Sequence, residues 1–296
     1  MPDYQRYQEL ISRESRHWGE VRPDPDNPQL WHDPELYEIF FGIEYRSFIE
    51  RIVAKRGTVL ELGCGEGKLA LELAQRGMTV TAIDLSMERV ERANETARLS
   101  GFGSRITFLV DDLNTASLPP ETYDCVVAHD ALHHILEIDR LCEEVRKSLK
   151  PGGSFIVWDF VGMGPIRKLF AALLYAVVPT YQPYMAKWNL RHRLPAFLAG
   201  ERSKRAALEK GTSSLLHPDS PFEEISQRSM IDAILKRFTI TERRTFAPFF
   251  YYLAPKVRFP RAIRYSLARS LKRADEMLLR LRFSEGAYFF LEARKD

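Results

Sequence analysis

The stretch Val59-Leu60-Glu61-Leu62-Gly63-Cys64-Gly65-Glu66-Gly67 constrains the fold of this chain more than any other. A short apolar run from Thr58 to Leu62 breaks into glycines at three alternate positions, and a helical pattern from Lys68 to Gln75 follows at once. That order reads as strand, tight turn and helix. Glycine reaches backbone angles closed to other residues, and its missing side chain lets a ligand come close to the turn. The free amides at the start of the helix then face that ligand.

Acids stand at the ends of the next two strands. The run Met78 to Ile83 ends in Asp84, and Ile106 to Val110 ends in Asp111-Asp112. Between and beyond them the pattern predicts a helix from Ser86, which suits a helix cap, to about Leu99. It then predicts a strand Tyr123 to Ala128, a helix Ile135 to Leu149 and a strand Ser154 to Phe160. Strands alternating with helices imply a parallel sheet covered on both faces, with ligands beyond the C-terminal strand ends. A nicotinamide-dependent dehydrogenase is the obvious competitor. Its fingerprint asks for Gly-x-Gly-x-x-Gly, and here the last position is Lys68, with Gly67 one place early.

Five segments resemble the class I S-adenosylmethionine (SAM)-dependent methyltransferases, in particular the small-molecule group with a Rossmann-like domain. They are Glu61 to Gly67, Val80 to Ser86, Phe108 to Leu113, Tyr123 to His129 with Leu132-His-His-Ile135, and Leu149-Lys-Pro-Gly-Gly153. They run in the family's order and at its spacing over Thr58 to Phe160. The resemblance implies a mostly parallel seven-stranded α/β sheet, with helical insertions after strand 5 and between strands 6 and 7. It implies S-adenosyl-L-methionine as cofactor, held by Glu61, Gly63, Cys64, Gly65, Gly67, Asp84, Leu85, Asp112, Leu113 and Ala128. Asp84 would take the ribose hydroxyls, Asp112 the adenine amino group and Leu113 the ring. Glu61 would work near the methionine amino group.

Methyl transfer is a direct displacement from a good leaving group, so the protein mainly aligns the reactants and excludes water. A base matters only if the acceptor must lose a proton, and histidine suits that near neutral pH. The resemblance puts chemistry after the fourth strand, which makes His129 and His133 the catalytic candidates, ahead of His134. His129, Asp130, His133, His134 and Asp159 match no common metal-ligand spacing, and no metal is expected.

Three cysteines, Cys64, Cys125 and Cys142, without a disulfide spacing suggest reduced thiols. The polar N-terminus carries no secretory signal, and the longest apolar run, Leu169 to Val178, is shorter than the about 20 residues a bilayer span needs. A cytoplasmic protein, soluble or membrane-peripheral, is expected. Charge is divided unevenly: residues 1–160 carry a balance of −10 and residues 161–296 one of +13.

Four regions follow: N-terminal helices and lid (1–56), the SAM-binding core (57–160), a helical acceptor-selecting insertion (161–236), and the last two strands with a basic helical insertion (237–296). Before the core, a short helix and a linker with Pro23, Pro25 and Pro28 precede a helix from Asp33-Pro34 to about Lys55. By resemblance Tyr37, Tyr45 and Arg46 are lid candidates and Trp31 a substrate wall. After it, Pro165 to Gly211 reads helical, at first apolar and then aromatic and basic (Tyr181, Tyr184, Trp188, Arg191, His192, Arg193). Ser220 to Glu224 looks like the start of a helix reaching Leu235. Phe238 to Thr245 reads as strand 6 and Glu285 to Ala293 as strand 7, antiparallel by resemblance.

The family usually joins those two strands by a tight hairpin; here about forty residues intervene. Ile263, Leu267, Leu271, Ala274, Leu278 and Leu281 repeat on one helical face, and residues 255–283 hold nine Lys and Arg against Asp275 and Glu276. Such a helix fits packing on the preceding insertion, a homodimer contact or an anionic membrane surface. Nucleic acid is disfavoured, because no stacking aromatics interleave the basic residues.

The sequence therefore predicts a SAM-dependent methyltransferase of a small-molecule acceptor, methylated at oxygen. The acceptor would be aromatic, glycosyl or lipid-linked, and anionic. A non-catalytic SAM-binding scaffold and a methyltransferase of tRNA or protein are the alternatives.

Overall fold

In a computed structural model of the protein, residues 3–20, 24, 28–189, 197–210, 215–217 and 219–296 are described, with backbone alone for 188 and 189. Pro23, Pro25, Arg191, His192 and Arg193 lie outside the described residues, as does the side chain of Trp188. The strands are β1 (Thr58–Leu62), β2 (Thr79–Asp84), β3 (Ile106–Val110), β4 (Tyr123–His129), β5 (Leu149–Phe160), β6 (Thr239–Phe246) and β7 (Tyr288–Arg294). They form one sheet in the order β3-β2-β1-β4-β5-β7-β6. All pairings are parallel except those of β7, which runs antiparallel to both β5 and β6.

Alternation along the strands builds two apolar layers, because successive side chains point to opposite faces. Val59, Val80, Ala82, Val127, Ile156, Trp158 and Phe290 join one core with helix α2 (Pro34–Lys55) and helix α3 (Lys68–Gln75). Leu60, Leu62, Val126, Val157, Phe289 and Leu291 join the other with α5 (Ile138–Ser148) and α9 (Ser229–Leu235). Helix α4 (Met87–Leu99) begins at a Ser86 cap whose hydroxyl accepts the Arg89 amide. Asp33 caps α2 in the same way, accepting the Glu35 and Leu36 amides.

Several boundaries differ from expectation, β5 starting at Leu149 and β7 at Tyr288 among them, and two of the differences have a clear local reason. Helix α5 starts at Ile138 rather than Ile135, because Leu132–His134 forms a separate 3-10 turn. The buried Asp159 carboxylate holds that turn, accepting the Leu132 amide at 2.7 Å and the Ala131 amide at 3.2 Å. The helix expected from Ser220 begins only at Ser229. Glu224 has φ 60°, a left-handed backbone that no helix continues through, and Glu201 caps the true start by accepting the Arg228 and Ser229 amides. The helical stretch after β5 is broken into α6 (Pro165–Val177), α7 (Tyr184–Asn189) and α8 (Glu201–Lys210).

The basic segment forms helix α10 (Arg261–Arg280), which packs on α2 rather than chiefly on the insertion. Arg264 pairs with Asp33 at 2.5 Å, Tyr265 donates to the same carboxylate, Arg269 reaches Glu35, and Lys272 donates to the Phe40 carbonyl at 3.0 Å. Its buried line is Tyr265, Ala268, Lys272 and Asp275; the apolar repeat is only partly covered, with Ile263 and Leu281 exposed.

Candidate active site

The turn after β1 is built for close approach. Gly63, Gly65 and Gly67 all have positive φ, and a Cβ at Gly63 would stand 2.5 Å from the Ala131 side chain. The Gly63 and Cys64 amides both donate to the Ile83 carbonyl, and the Gly65 amide donates to Asp84 Oδ2 at 2.7 Å. Asp84 also accepts the Ser86 amide at 2.9 Å through Oδ1. This buried carboxylate is thereby fixed at the end of β2 with lone pairs to spare for hydroxyl donors.

Glu61 is the group most out of place without a partner. Its Oε2 is buried with no hydrogen bond, and burial, followed by the charge of Asp84, pushes the carboxyl up to about 8 against the pull of the Ala70 amide. A buried orphan oxygen costs free energy that a cationic ligand group would relieve. The methionine ammonium expected near Glu61 is such a group. Cys64 is buried, with its thiol pushed well up by burial, so it contributes backbone rather than chemistry. Ala128 is fully buried between β1 and β5, which leaves only its backbone for a ligand.

At the other end of the cleft Asp112 Oδ1 accepts from both nitrogens of Asn114, and Oδ2 accepts the Tyr7 hydroxyl at 2.5 Å. Leu113 is buried beside it. Tyr7 belongs to helix α1 (Tyr4–Glu20), and burial together with Asp112 raises its hydroxyl far above its ordinary range. The same helix places Ser15 Oγ 3.3 Å from the Leu85 carbonyl and Trp18 over the Arg89 guanidinium. The cover over the strand ends is therefore α1. Of the residues expected there, Tyr45 donates to Glu72 at 2.8 Å, Tyr37 stacks edge-on with Phe41 and Tyr45, and Arg46 makes an exposed pair with Glu38. Trp31 is exposed. The polar sequence of α1 hid this role, since its contacts are hydrogen bonds to groups about 70 to 105 positions away.

The residues after β4 divide into three environments. The His129 ring is packed among Tyr45, Phe48 and Trp158, with Nε2 buried and unbonded, and burial pushes it down to about 4. It is a neutral packing group. Asp130 keeps an exposed side chain just past the end of β4, with His133 and Asp159 close by. Burial and then Asp159 push its carboxyl up to about 8, and its φ of 51° is a left-handed conformation that strains a non-glycine residue. His133 is buried, with Nδ1 2.5 Å from Asp159 Oδ1 and Nε2 3.9 Å from Glu223 Oε1. Burial opposes its charge, but Asp159 outweighs that and pushes the imidazole up to about 9.

Comparison with known proteins agrees with this geometry. Residues 59–153 match the family described as "Methyltransferase domain". The matched segment holds the glycine turn, Asp84, Asp112 and the histidines after β4. An uncharacterized methyltransferase of Mycobacterium bovis is 36% identical over 122 residues, covering 40% of this chain and 59% of that protein. A sterol 4-C-methyltransferase of Caenorhabditis elegans is 30% identical over 102 residues, covering 34% of this chain and 30% of the relative. The matches thus span less than two thirds of these relatives. The geranyl diphosphate C-methyltransferase of Streptomyces coelicolor A3(2), solved with Mg2+, geranyl diphosphate and S-adenosyl-L-homocysteine, shares the fold over 100% of both chains, with a TM-score of 0.56 and 15% identity. The three cysteines of the chain are buried and free.

Proposed function

We propose that this protein transfers the methyl group of SAM to an oxygen of a small, amphipathic, anionic acceptor. The observation that carries the reading is the prepared cradle: three positive-φ glycines, the fixed Asp84 carboxylate and the unpartnered Glu61 oxygen, all at the ends of adjacent strands. Bound SAM supplies an electrophilic methyl on a sulfonium. Asp84 binds the ribose hydroxyls, Asp112 and Leu113 the adenine, and Glu61 the ammonium. Asp130, open to the cleft and held up to about 8, removes the acceptor hydroxyl proton, a poise near neutral pH that suits a general base. His133, fixed by Asp159, orients the acceptor beside it. This assigns to Asp130 the proton transfer that the sequence pattern offered to His129 and His133.

An amphipathic acceptor is suggested by the surface that borders the insertion. Arg167 of α6 bonds Ser284 and the Glu285 carbonyl, and the Arg258 amide donates to the Pro179 carbonyl, so the segments that flank α10 are tied to both ends of α6. Ile166, Leu173 and Val177 of α6 are exposed, as are Leu281 and Phe283 after α10 and the basic Arg273, Arg280 and Arg282. An apolar face with a basic rim fits an anionic lipid surface. No helix among the described residues is long and apolar enough to cross a membrane. A peripheral membrane contact at the cytoplasmic face is the location we infer.

Calorimetric titration with SAM, S-adenosylhomocysteine and NADH, side by side, tests the cofactor. Binding of the first two alone supports it; binding of none, or of NADH, defeats it. Co-sedimentation with anionic against neutral vesicles tests the surface. Equal partition to both, or loss of the face in a homodimer seen by light scattering, defeats the lipid reading.

A further inference from the structure

Beside the proposed acceptor cleft, three groups from two distant parts of the chain turn toward one another. His133 and His134 sit on the 3-10 turn after β4, and Glu223 comes from the turn at 221–228 in the insertion. His133 Nε2 lies 3.9 Å from Glu223 Oε1, and His134 Nε2 lies 3.5 Å from Glu223 Oε2. One donor atom from each of the three residues falls within 4.8 Å of the others.

The far side of each imidazole faces a second carboxylate, in a hydrogen bond at His133 and in a looser contact at His134. His133 Nδ1 donates to Asp159, which also accepts the Ala131, Leu132 and Phe160 amides. His134 Nδ1 lies 3.1 Å from Glu14 of α1, and Glu14 accepts Trp18 Nε1, Ser220 Oγ and the Phe222 amide. A divalent cation entering this space would displace the Nε2 proton that the surrounding carboxylates favour on His133, leaving two Nε2 lone pairs and the Glu223 carboxylate facing it. Charge-assisted hydrogen bonds would close to about 2.7–2.9 Å, shorter than the 3.5 and 3.9 Å found. A tetrahedral ion with bonds of about 2.0–2.1 Å holds its ligands roughly 3.3 Å apart. Three carboxylates around two imidazoles also leave negative charge to be balanced.

We propose that His133 Nε2, His134 Nε2 and Glu223 bind one divalent first-row transition ion, with Asp159 and Glu14 orienting the two imidazoles. Two nitrogens and one oxygen select such an ion over a hard cation that prefers all-oxygen ligands. The carboxylate–histidine–metal arrangement is how proteins fix ring orientation and tautomer at metal sites. Glu223 keeps about a third of its side chain exposed, which leaves coordination positions open toward the cleft. If the proposed acceptor reading holds, those positions face the acceptor oxygen and lower its proton affinity for Asp130. The site itself does not need that reading. Sequence spacing hid it because the third ligand lies about ninety positions away, and His129 packs among Tyr45, Phe48 and Trp158 instead.

The test uses the full chain, stripped with chelator and titrated with Zn2+ by calorimetry and with Co2+ by visible absorption, without SAM or acceptor. One equivalent should bind, with Co2+ bands of nitrogen and oxygen ligation. Glu223→Gln, a partly exposed isosteric change that spares the fold, and His134→Ala should each weaken binding more than tenfold, and Glu14→Gln roughly 10- to 100-fold as an orienting partner. Absence of a stoichiometric site, or unchanged affinity in Glu223→Gln and His134→Ala, overturns the proposal. Metal binding with no SAM binding would sink the methyltransferase reading alone; SAM binding without metal would sink this one alone.

Discussion

Helices α2 and α10 pack against each other, yet they relate pattern to burial in opposite ways. In α2 the apolar repeat is the packed face: Leu36, Phe40, Phe48, Ile49 and Ile52 are all at 0 or 1% exposure. In α10 the repeat of Ile263, Leu267, Leu271, Ala274, Leu278 and Leu281 stays partly exposed, and the buried line runs through Tyr265, Lys272 and Asp275. The polar line is buried because each member finds a partner: Tyr265 on Asp33, Lys272 on the Phe40 carbonyl, Asp275 under the Phe250 amide. Burying polar groups is tolerable only when they are hydrogen-bonded. The same contrast runs through the whole molecule. The sheet core is held by non-directional apolar burial, whereas the caps (α1, the insertion and α10) add specific polar contacts at long sequence separation to a smaller apolar cluster that includes Tyr7, Leu10, Leu208 and Phe222.

Substitutions at the site should separate the two kinds of region, with the core-borne groups carrying the larger effects. Asp130→Asn should lower turnover by about 10²- to 10⁴-fold with SAM affinity unchanged, measured as S-adenosylhomocysteine formation over an acceptor panel. An undiminished rate would return the proton transfer to His133. Asp84→Ala should weaken SAM binding about 100-fold by calorimetry, since two hydrogen bonds to a charged acceptor are each worth about 1.5–3 kcal/mol and are not fully additive. A change under threefold would break the ribose assignment.

The cap contribution should be smaller and dynamic. Tyr7→Phe removes one hydrogen bond to Asp112. It should raise hydrogen exchange across α1 and shift SAM affinity by several fold, on the order of 1 kcal/mol. No change in exchange would mean that α1 is docked by apolar contacts alone and that the core and cap do not differ as described.

A pH dependence of stability is expected as well. Glu61 is raised to about 8 in the folded chain from an ordinary 4.5. Relative to the unfolded chain its contribution to stability is fully present below pH 4.5 and is lost as pH rises through 8, because only the folded chain must keep the proton. Glu61→Gln should flatten that decline in denaturant unfolding between pH 4.5 and 8. A parallel slope in both proteins would show that Glu61 is not the responsible group.

From sequence alone the sheet, its parallel core and the glycine cradle were legible, along with Asp84, Asp112 and Glu61 at the strand ends. Each rests on short-range patterns: alternation of apolar residues, a glycine where φ must be positive, an acid where a strand stops. Only the tertiary structure decided what lies over that framework. It put Tyr7 and Glu14 of a polar N-terminal helix onto the cleft, turned His129 into an aromatic pocket, left Asp130 open, and brought Glu223 to His133 and His134. Those placements depend on which distant partner satisfies each buried polar group, and no local periodicity encodes that choice.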